Sequence, residues 1–244
     1  MPFLVPSRFC GPPESGNGGW VSGHAAALLE PGPDEAVTVR LRTPPPLDRE
    51  LSVQTGAVDG RRTLEVRDGE HPVLEATSAL GLDAGGIPAA VSFAEATTVG
   101  EGYEGLAGHP FPTCFSCGTG RASDDALRLQ PGRVDGGDGL YAAAWRPRAD
   151  VDLETVWAAL DCPGGWASGI AGRPMVLGTM TAQVASLPAV GEEHVVMAWP
   201  RGGEGRKYHS GTALYAADGR LLAHAEATWI AIDPKAVRPV GGPA

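Results

Sequence analysis

Gly18-Gly19-Trp20-Val21-Ser22-Gly23, near the start of the chain, returns as Gly164-Gly165-Trp166-Ala167-Ser168-Gly169, with five of six positions alike around a residue type that occurs 6 times in 244. A second pair of echoes runs in the same order: Asp68-Gly69 followed by Glu75-Ala76-Thr77, and Asp218-Gly219 followed by Glu226-Ala227-Thr228. Two copies of one unit organise such a sequence best. The 244 residues leave room for two domains of roughly 120 residues, each with a core, or one larger one.

Both copies read as a helix followed by strands, the second copy being longer and opening with a hairpin. In the first, the small and apolar residues from Gly18 to Glu30 read as a buried helix, stopped by Pro31-Gly32-Pro33. Strand-like runs follow from Ala36 to Thr43, Glu50 to Val58, Arg62 to Arg67 and Pro72 to Leu80, separated by turn residues. The loose Gly, Ala, Pro and Thr stretch from Gly81 to Gly108 reads as a connector. In the second copy, Ala126 to Gln130 and Leu140 to Arg146 form an expected hairpin across Gly132 to Gly139. Asp152 to Leu160 is an expected helix with Asp150 or Asp152 as its N-cap. Strands are expected from Met175 to Ser186, Glu193 to Pro200, Tyr208 to Ala216 and Leu221 to Ile232, with Asp218-Gly219 as a tight hairpin turn. One helix and then an antiparallel meander, repeated once, is an α+β arrangement. The expected division is residues 1–100 and 101–244.

Composition narrows the function. Lys+Arg 19 against Asp+Glu 29 gives a formal charge of -10, which argues against nucleic acid or anionic lipid as a partner. No apolar run is long enough to cross a bilayer, and Met1-Pro2-Phe3-Leu4-Val5-Pro6 has neither a basic n-region nor a long apolar h-region, so a cytoplasmic protein is expected. Cys10, Cys114, Cys117 and Cys162 are too few and scattered for a disulfide framework and are expected as reduced thiols. Cys114-x-x-Cys117 has zinc-knuckle spacing, but no second Cys or His pair follows at finger distance. A closed four-ligand site would need Cys10 and Cys162 to converge on it. The expectation is therefore a structural loop with buried thiols, and no metal or other cofactor.

A helix that opens on Gly-Gly and leads into a meander resembles the hotdog fold of acyl-CoA thioesterases and their relatives. Asn17-Gly18-Gly19 is similar to the His-Gly-Gly or Asn-Gly-Gly that opens the central helix in many of them, and Cys114-Phe115-Ser116-Cys117-Gly118 resembles a Cys-Phe-x-Cys-Gly segment of some bacterial hotdog proteins. The resemblance covers most of the chain as a tandem, or double, hotdog: two antiparallel sheets, each curled around a central helix. Pro163 stands before the second Gly-Gly where Asn17 stands before the first, a departure that puts one of the two pseudo-symmetric sites in doubt.

The resemblance implies a hydrolase acting on acyl-CoA or acyl-carrier thioesters. In such enzymes a helix-borne carboxylate attacks the thioester carbonyl or activates water, and Asp161, three residues before Gly164, is the candidate for that role; the plainer reading is a cap or turn residue. Gly18 and Gly19 could offer backbone N–H groups to the thioester oxygen, with Asn17 orienting the carbonyl, although Gly-Gly-Trp reads equally well as a packing motif. Trp20 and Trp166 complete that motif as candidates for substrate contact. Glu14, Ser15, Ser22 and His24 are second-tier candidates on or near the first helix, and His24 has no partner carboxylate at a telling spacing. Thr179 and Gln183 fall on one face of an expected strand. Arg206 and Lys207, with Arg201, sit at a Gly-rich hairpin tip that could meet coenzyme A phosphates, and Arg61 and Arg62 occupy the corresponding turn of the first copy. A non-catalytic acyl- or acyl-CoA-binding protein is the alternative. A hotdog hydratase ranks last, because no Asp has a His five positions later. Open outer sheet edges make a homodimer of such chains an expected partner arrangement.

Overall fold

A computed structural model describes residues 3–122, 124–136, 139–148 and 151–233; the candidate cap Asp150 lies outside the described residues. Helix α1 (Gly18–Ala27) begins where Asn17 Oδ1 accepts the Trp20 N–H at 2.8 Å, the cap that an Asn in extended backbone supplies. Strands β1 (Glu35–Leu41), β2 (Ser52–Val58), β3 (Arg61–Asp68) and β4 (His71–Leu80) follow. Asp59 and Gly60 both take positive φ, 49° and 76°, in the β2–β3 turn, as a two-residue hairpin of matching twist requires.

The stretch read as a connector contains helix α2 (Phe93–Gly100), capped by Ser92 Oγ accepting the Glu95 N–H at 3.1 Å. Helix α2 packs on β5 (Gly132–Arg133) and β6 (Tyr141–Trp145). The expected strand from Ala126 to Gln130 is absent. Arg128 sits at φ 52°, and the Leu127 and Leu129 N–H groups bond to Phe115 O and Ser116 O, both at 2.9 Å, so this segment ties down the cysteine loop instead.

Helix α3 (Leu153–Ala167) is capped by Asp152 and runs through Pro163, seven residues past the expected end at Leu160. Pro and Gly-Gly ordinarily stop a helix, but here the glycines let α3 lie directly on the sheet. A Cβ on Gly164 would stand 2.5 Å from Ser210 Oγ, and one on Gly165 would stand 3.1 Å from the Trp229 ring. Strands β7 (Met175–Val184), β8 (His194–Glu204), β9 (Lys207–Ala216) and β10 (Leu221–Ala231) complete the chain.

The strands form one antiparallel sheet in the order β2-β3-β4-β1-β7-β10-β9-β8-β6-β5. The two sheets expected from the sequence are continuous, because β1 pairs with β7 from Ala36↔Gln183 to Arg40↔Thr179. Outward from that join, β1, β4, β3, β2 mirror β7, β10, β9, β8. The Asp68-Gly69 and Asp218-Gly219 turns therefore occupy corresponding hairpins, as do the two Glu-Ala-Thr segments on β4 and β10. The Gly-Gly-Trp echo does not correspond: it opens α1 but falls near the end of α3. Asp152, not Pro163, stands where Asn17 stands.

Helices α1 and α3 cross in contact on this sheet. Gly19, two residues past its cap, faces Ala158, six past the other; Gly23, six past its cap, faces Glu154, two past the other. A Cβ would come within 3.0 Å of Ala158 Cα at Gly19 and within 2.7 Å of Glu154 Cα at Gly23. The crossing is thus two-fold in register and closer than side chains allow. Trp157, Leu160, Met180, Leu74 and Leu214 fill the core beneath it.

Candidate functional site

At the N-terminus of α1 the crossing brings Asp161 of α3 onto the first turn of the other helix. Asp161 Oδ2 accepts the Gly19 N–H at 2.9 Å and Asn17 Nδ2–H at 3.2 Å, where the helix dipole favours a negative charge. The side chain is 2% exposed, and Oδ1 has no hydrogen-bond partner among the described residues. Burial pushes the Asp161 pKa up to about 7 against the opposing pull of Gly19 N–H and Asn17.

A cavity of about 50 Å³ adjoins this carboxyl group, lined by Asn17, Gly18, Asp161 and Trp166, by apolar Met175 and Leu177, and by Cys114, Cys117 and Cys162. Gly18 N–H donates no hydrogen bond among the described residues, whereas Gly19 N–H is held by Asp161. Of the two glycines proposed for an oxyanion, only Gly18 keeps a free donor.

The three sulfurs come from two elements. Cys162 follows Asp161 on α3, while Cys114 and Cys117 sit in the loop between α2 and β5. Asn17 Nδ2–H points at Cys114 Sγ (3.6 Å) and Cys162 Sγ (3.8 Å), and Cys114 and Cys162 Sγ are 3.5 Å apart. The Phe111 N–H donates to His109 Nδ1 at 2.9 Å, which leaves the ring proton on Nε2, aimed at Cys117 Sγ 3.2 Å away. Hydrogen bonds from Cys117 and Cys162 pull the Cys114 thiol down, while the Cys117 and Cys162 thiols are pushed up, Cys117 chiefly by burial and Cys162 by its bonds to the other two. Cys10 stays outside the group, donating to Thr113 O at 3.2 Å.

Several proposed contacts lie elsewhere. Trp20 is sandwiched between Phe9 and His24, with ring centroids 4.0 and 5.2 Å away, and His24 Nδ1 meets Glu154 Oε1 at 3.0 Å. Both residues pack the helix crossing rather than line the cavity, and the carboxylate partner that spacing did not reveal comes from the other half. A shift in register at Thr228/Trp229 on β10 leaves Met180 and Ala182 inward and Thr179 and Gln183 on the opposite face. Gln183 is spent on Pro33 O and the Leu82 N–H. Arg206 and Lys207 are exposed at the β8–β9 tip, away from the cavity, and Arg201 is paired with Glu226. Ser15 and Ser22 are buried, Glu14 is exposed, and none of the three lines the cavity. A larger cavity of about 310 Å³ at the N-terminus of α3 is ringed by Arg8, Arg128, Arg146 and Arg148, is lined also by Asp124 and Asp152, and shares a wall, Phe9 and Phe115, with the cysteine loop; Arg8 is paired with Asp125 and Arg146 with Glu193. Spacing alone gave no sign of this arginine ring.

No protein-family model matches the sequence, and no curated protein is similar to it. Solved structures match over most of the chain. A conserved protein of unknown function with a hot dog fold from Alicyclobacillus acidocaldarius is 14% identical, covering 94% of this chain and 92% of its own, at a TM-score of 0.61. The acyl-CoA thioesterase II TesB2 from Mycobacterium marinum is 12% identical, with 96% and 93% covered, at 0.54. The dehydratase domain of PpsC from Mycobacterium tuberculosis, in complex with C12:1-CoA, is 11% identical, with 94% and 91% covered, at 0.59. Identities this low speak for architecture alone, and by its architecture the chain is a hotdog-fold protein.

Proposed function

We propose that this chain is a double hotdog, with units at residues 1–100 and 101–244, that hydrolyses acyl-CoA or acyl-carrier thioesters with Asp161 as the working carboxylate. The observation that carries the reading is the clasp: Asp161 Oδ2 held from across the helix crossing by Gly19 N–H and Asn17 Nδ2–H, with Oδ1 unpartnered and the residue lining a cavity. One oxygen is fixed so that the other can work. In the proposed reaction Oδ1 takes a proton from water, the water oxygen bonds to the thioester carbonyl carbon, and Gly18 N–H receives the developing oxyanion. The carbon–sulfur bond then breaks, and the departing thiolate recovers the proton from Asp161. Arg128 and Arg148 of the arginine ring, which lie on the same side of the molecule as the cysteine loop, are a better place for coenzyme A phosphates than Arg206 and Lys207, which lie away from the cavity.

One site per chain follows from the register. Asp161 stands nine residues past its cap, and the residue nine past Asn17 is Ala26, so the pseudo-equivalent site has no carboxylate. A second reading, an acyl-CoA-binding protein without turnover, is favoured by one observation: Gly19 N–H is already occupied by Asp161, which leaves a single oxyanion donor. A cytoplasmic protein with an acyl-thioester partner suits either reading, and association into homodimers through the open sheet edges is checked by its mass in solution.

The test is thiol release from short, medium, long and aromatic acyl-CoAs, paired with equilibrium binding of the same compounds. Release from one class supports the hydrolase. Binding without release favours the second reading, and neither binding nor release removes both.

A further inference from the structure

We propose that Cys114, Cys117 and Cys162 bind a zinc ion at the floor of this cavity. Their sulfur atoms all lie within 4.8 Å of one another, with Cys114 and Cys162 3.5 Å apart. Zinc–thiolate bonds of about 2.3 Å place the sulfurs of a tetrahedral site roughly 3.8 Å apart, so the cluster is already near the size of one face of that tetrahedron. A set of three soft thiolates selects zinc over the hard cations magnesium and calcium.

The geometry is held rather than accidental. The Gly118 N–H closes the Cys-x-x-Cys turn on Cys114 O at 2.9 Å, Tyr103 Oη–H donates to Cys117 O at 3.0 Å, and Ser116 Oγ–H donates to Ala158 O of α3 at 2.7 Å. Gly118 has no room for a side chain, since a Cβ would stand 2.5 Å from Cys114 O. The loop is thereby fixed against the helix that carries Cys162. Around the sulfurs, N–H donors point inward: Asn17 Nδ2–H at Cys114 and Cys162, and His109 Nε2–H at Cys117. Such donors suit sulfurs that act as acceptors, as metal-bound thiolates do, and outer-shell bonds of this kind orient the ligands.

No His, Asp or Glu among the described residues joins the three sulfurs within the same radius. The Phe111 N–H bond to Nδ1 puts the His109 ring proton on the nitrogen facing Cys117, which makes His109 a supporting donor rather than a fourth ligand. The fourth corner therefore opens into the cavity of about 50 Å³, room for the ion and a water. Each thiol gives up its proton as its bond to zinc forms, so uptake releases protons and weakens as pH falls. The inference rests on the sulfurs and their donors alone, and holds whether or not the chain hydrolyses thioesters.

The test is metal content. Wild type and the Cys10→Ser, Cys162→Ser and His109→Gln variants are purified without chelator, supplied with Zn²⁺, desalted and analysed for bound metal. About one zinc per chain is expected in wild type and Cys10→Ser and almost none in Cys162→Ser, with affinity down about 10- to 100-fold in His109→Gln. Should Cys162→Ser misfold, Co²⁺ added to metal-free wild type gives an independent readout: a thiolate-to-cobalt charge-transfer band and tetrahedral d–d bands, present in Cys10→Ser as well. Folded wild type that takes up neither ion, or zinc content unchanged in folded Cys162→Ser, overturns the proposal. A Cys114–Cys162 disulfide in protein kept under reductant does the same.

Discussion

Asn17 joins three tasks in one amide. Its oxygen caps α1, and its nitrogen serves Asp161 and two sulfurs. Asn17→Ser separates those tasks, because a serine still caps α1 but is too short to donate to Asp161. The variant should lose about 1–3 kcal/mol, the worth of a hydrogen bond to a partly charged group, measured by denaturant unfolding; a loss below 0.5 kcal/mol would mean that the bond to Asp161 contributes little. Asp161 was legible as a candidate from its place beside Gly164-Gly165, and so were Asn17 and Gly18. The clasp itself was not, since its two halves lie 142 residues apart in sequence and no local pattern joins them. The same holds for His24 and Glu154, 130 apart.

At the scale of elements, the crossing of α1 and α3 is set by glycines. Gly19→Ala would drive a Cβ to 2.4 Å from Asp161 Cβ and 2.6 Å from Trp157 O, and overpacking of this kind costs about 1–3 kcal/mol or more. Gly32→Ala meets nothing closer than Glu35 Oε2 at 3.6 Å and should leave the melting temperature nearly unchanged. Equal melting temperatures for the two variants would show that the helices part without cost. On β10, burial pulls the His224 pKa below its ordinary value, and Nε2 has no partner among the described residues. The fold prefers the neutral ring, so its contribution is complete above the unfolded pKa of about 6.5 and is lost progressively as pH falls from there through the lower folded pKa. Between pH 7.5 and 5.5, His224→Gln should therefore lose less stability than wild type in denaturant titrations; parallel losses would rule out His224 as the cause. Apart from Ala126 to Gln130, which is no strand, and β5, which was read as a turn, the strands were legible to within a few residues because strand-like runs and turn residues agree. Helix α3 was cut short because Pro163 and two glycines read as a stop, and packing against Ser210 and Trp229 outweighs their propensity. Helix α2 carried a readable signal, the capping box Ser92-x-x-Glu95, inside a stretch whose small residues otherwise suggest a loop.

For the whole molecule, two of the three echoes in the sequence mark corresponding parts of one continuous ten-stranded sheet, and the third does not. The Asp-Gly and Glu-Ala-Thr echoes mark corresponding hairpins, whereas the Gly-Gly-Trp echo marks two different packing problems: in α1 Gly18 meets Leu177 of the sheet and Gly19 meets α3, while in α3 both glycines meet the sheet. Continuity of β1 with β7 and contact between the helices tie the halves together. Heat should thus unfold the chain in one transition, with calorimetric and van't Hoff enthalpies equal; two separated transitions would mean that the halves are independent. What pairs across the join depends on register and on which face each side chain takes, and a single irregularity at Thr228/Trp229 was enough to send Thr179 and Gln183 to the far side.

In the proposed reaction the clasped carboxylate of Asp161 does the chemistry. Its most direct test is single-turnover thiol release by wild type and Asp161→Asn on the best acyl-CoA, with binding of that compound measured alongside. An asparagine oxygen can still accept from Gly19 and Asn17, so the variant should fold, bind as wild type does and release thiol at least about 100-fold more slowly, the scale of a lost general base. Release at the wild-type rate would contradict that role and leave Asp161 as a cap on the neighbouring helix.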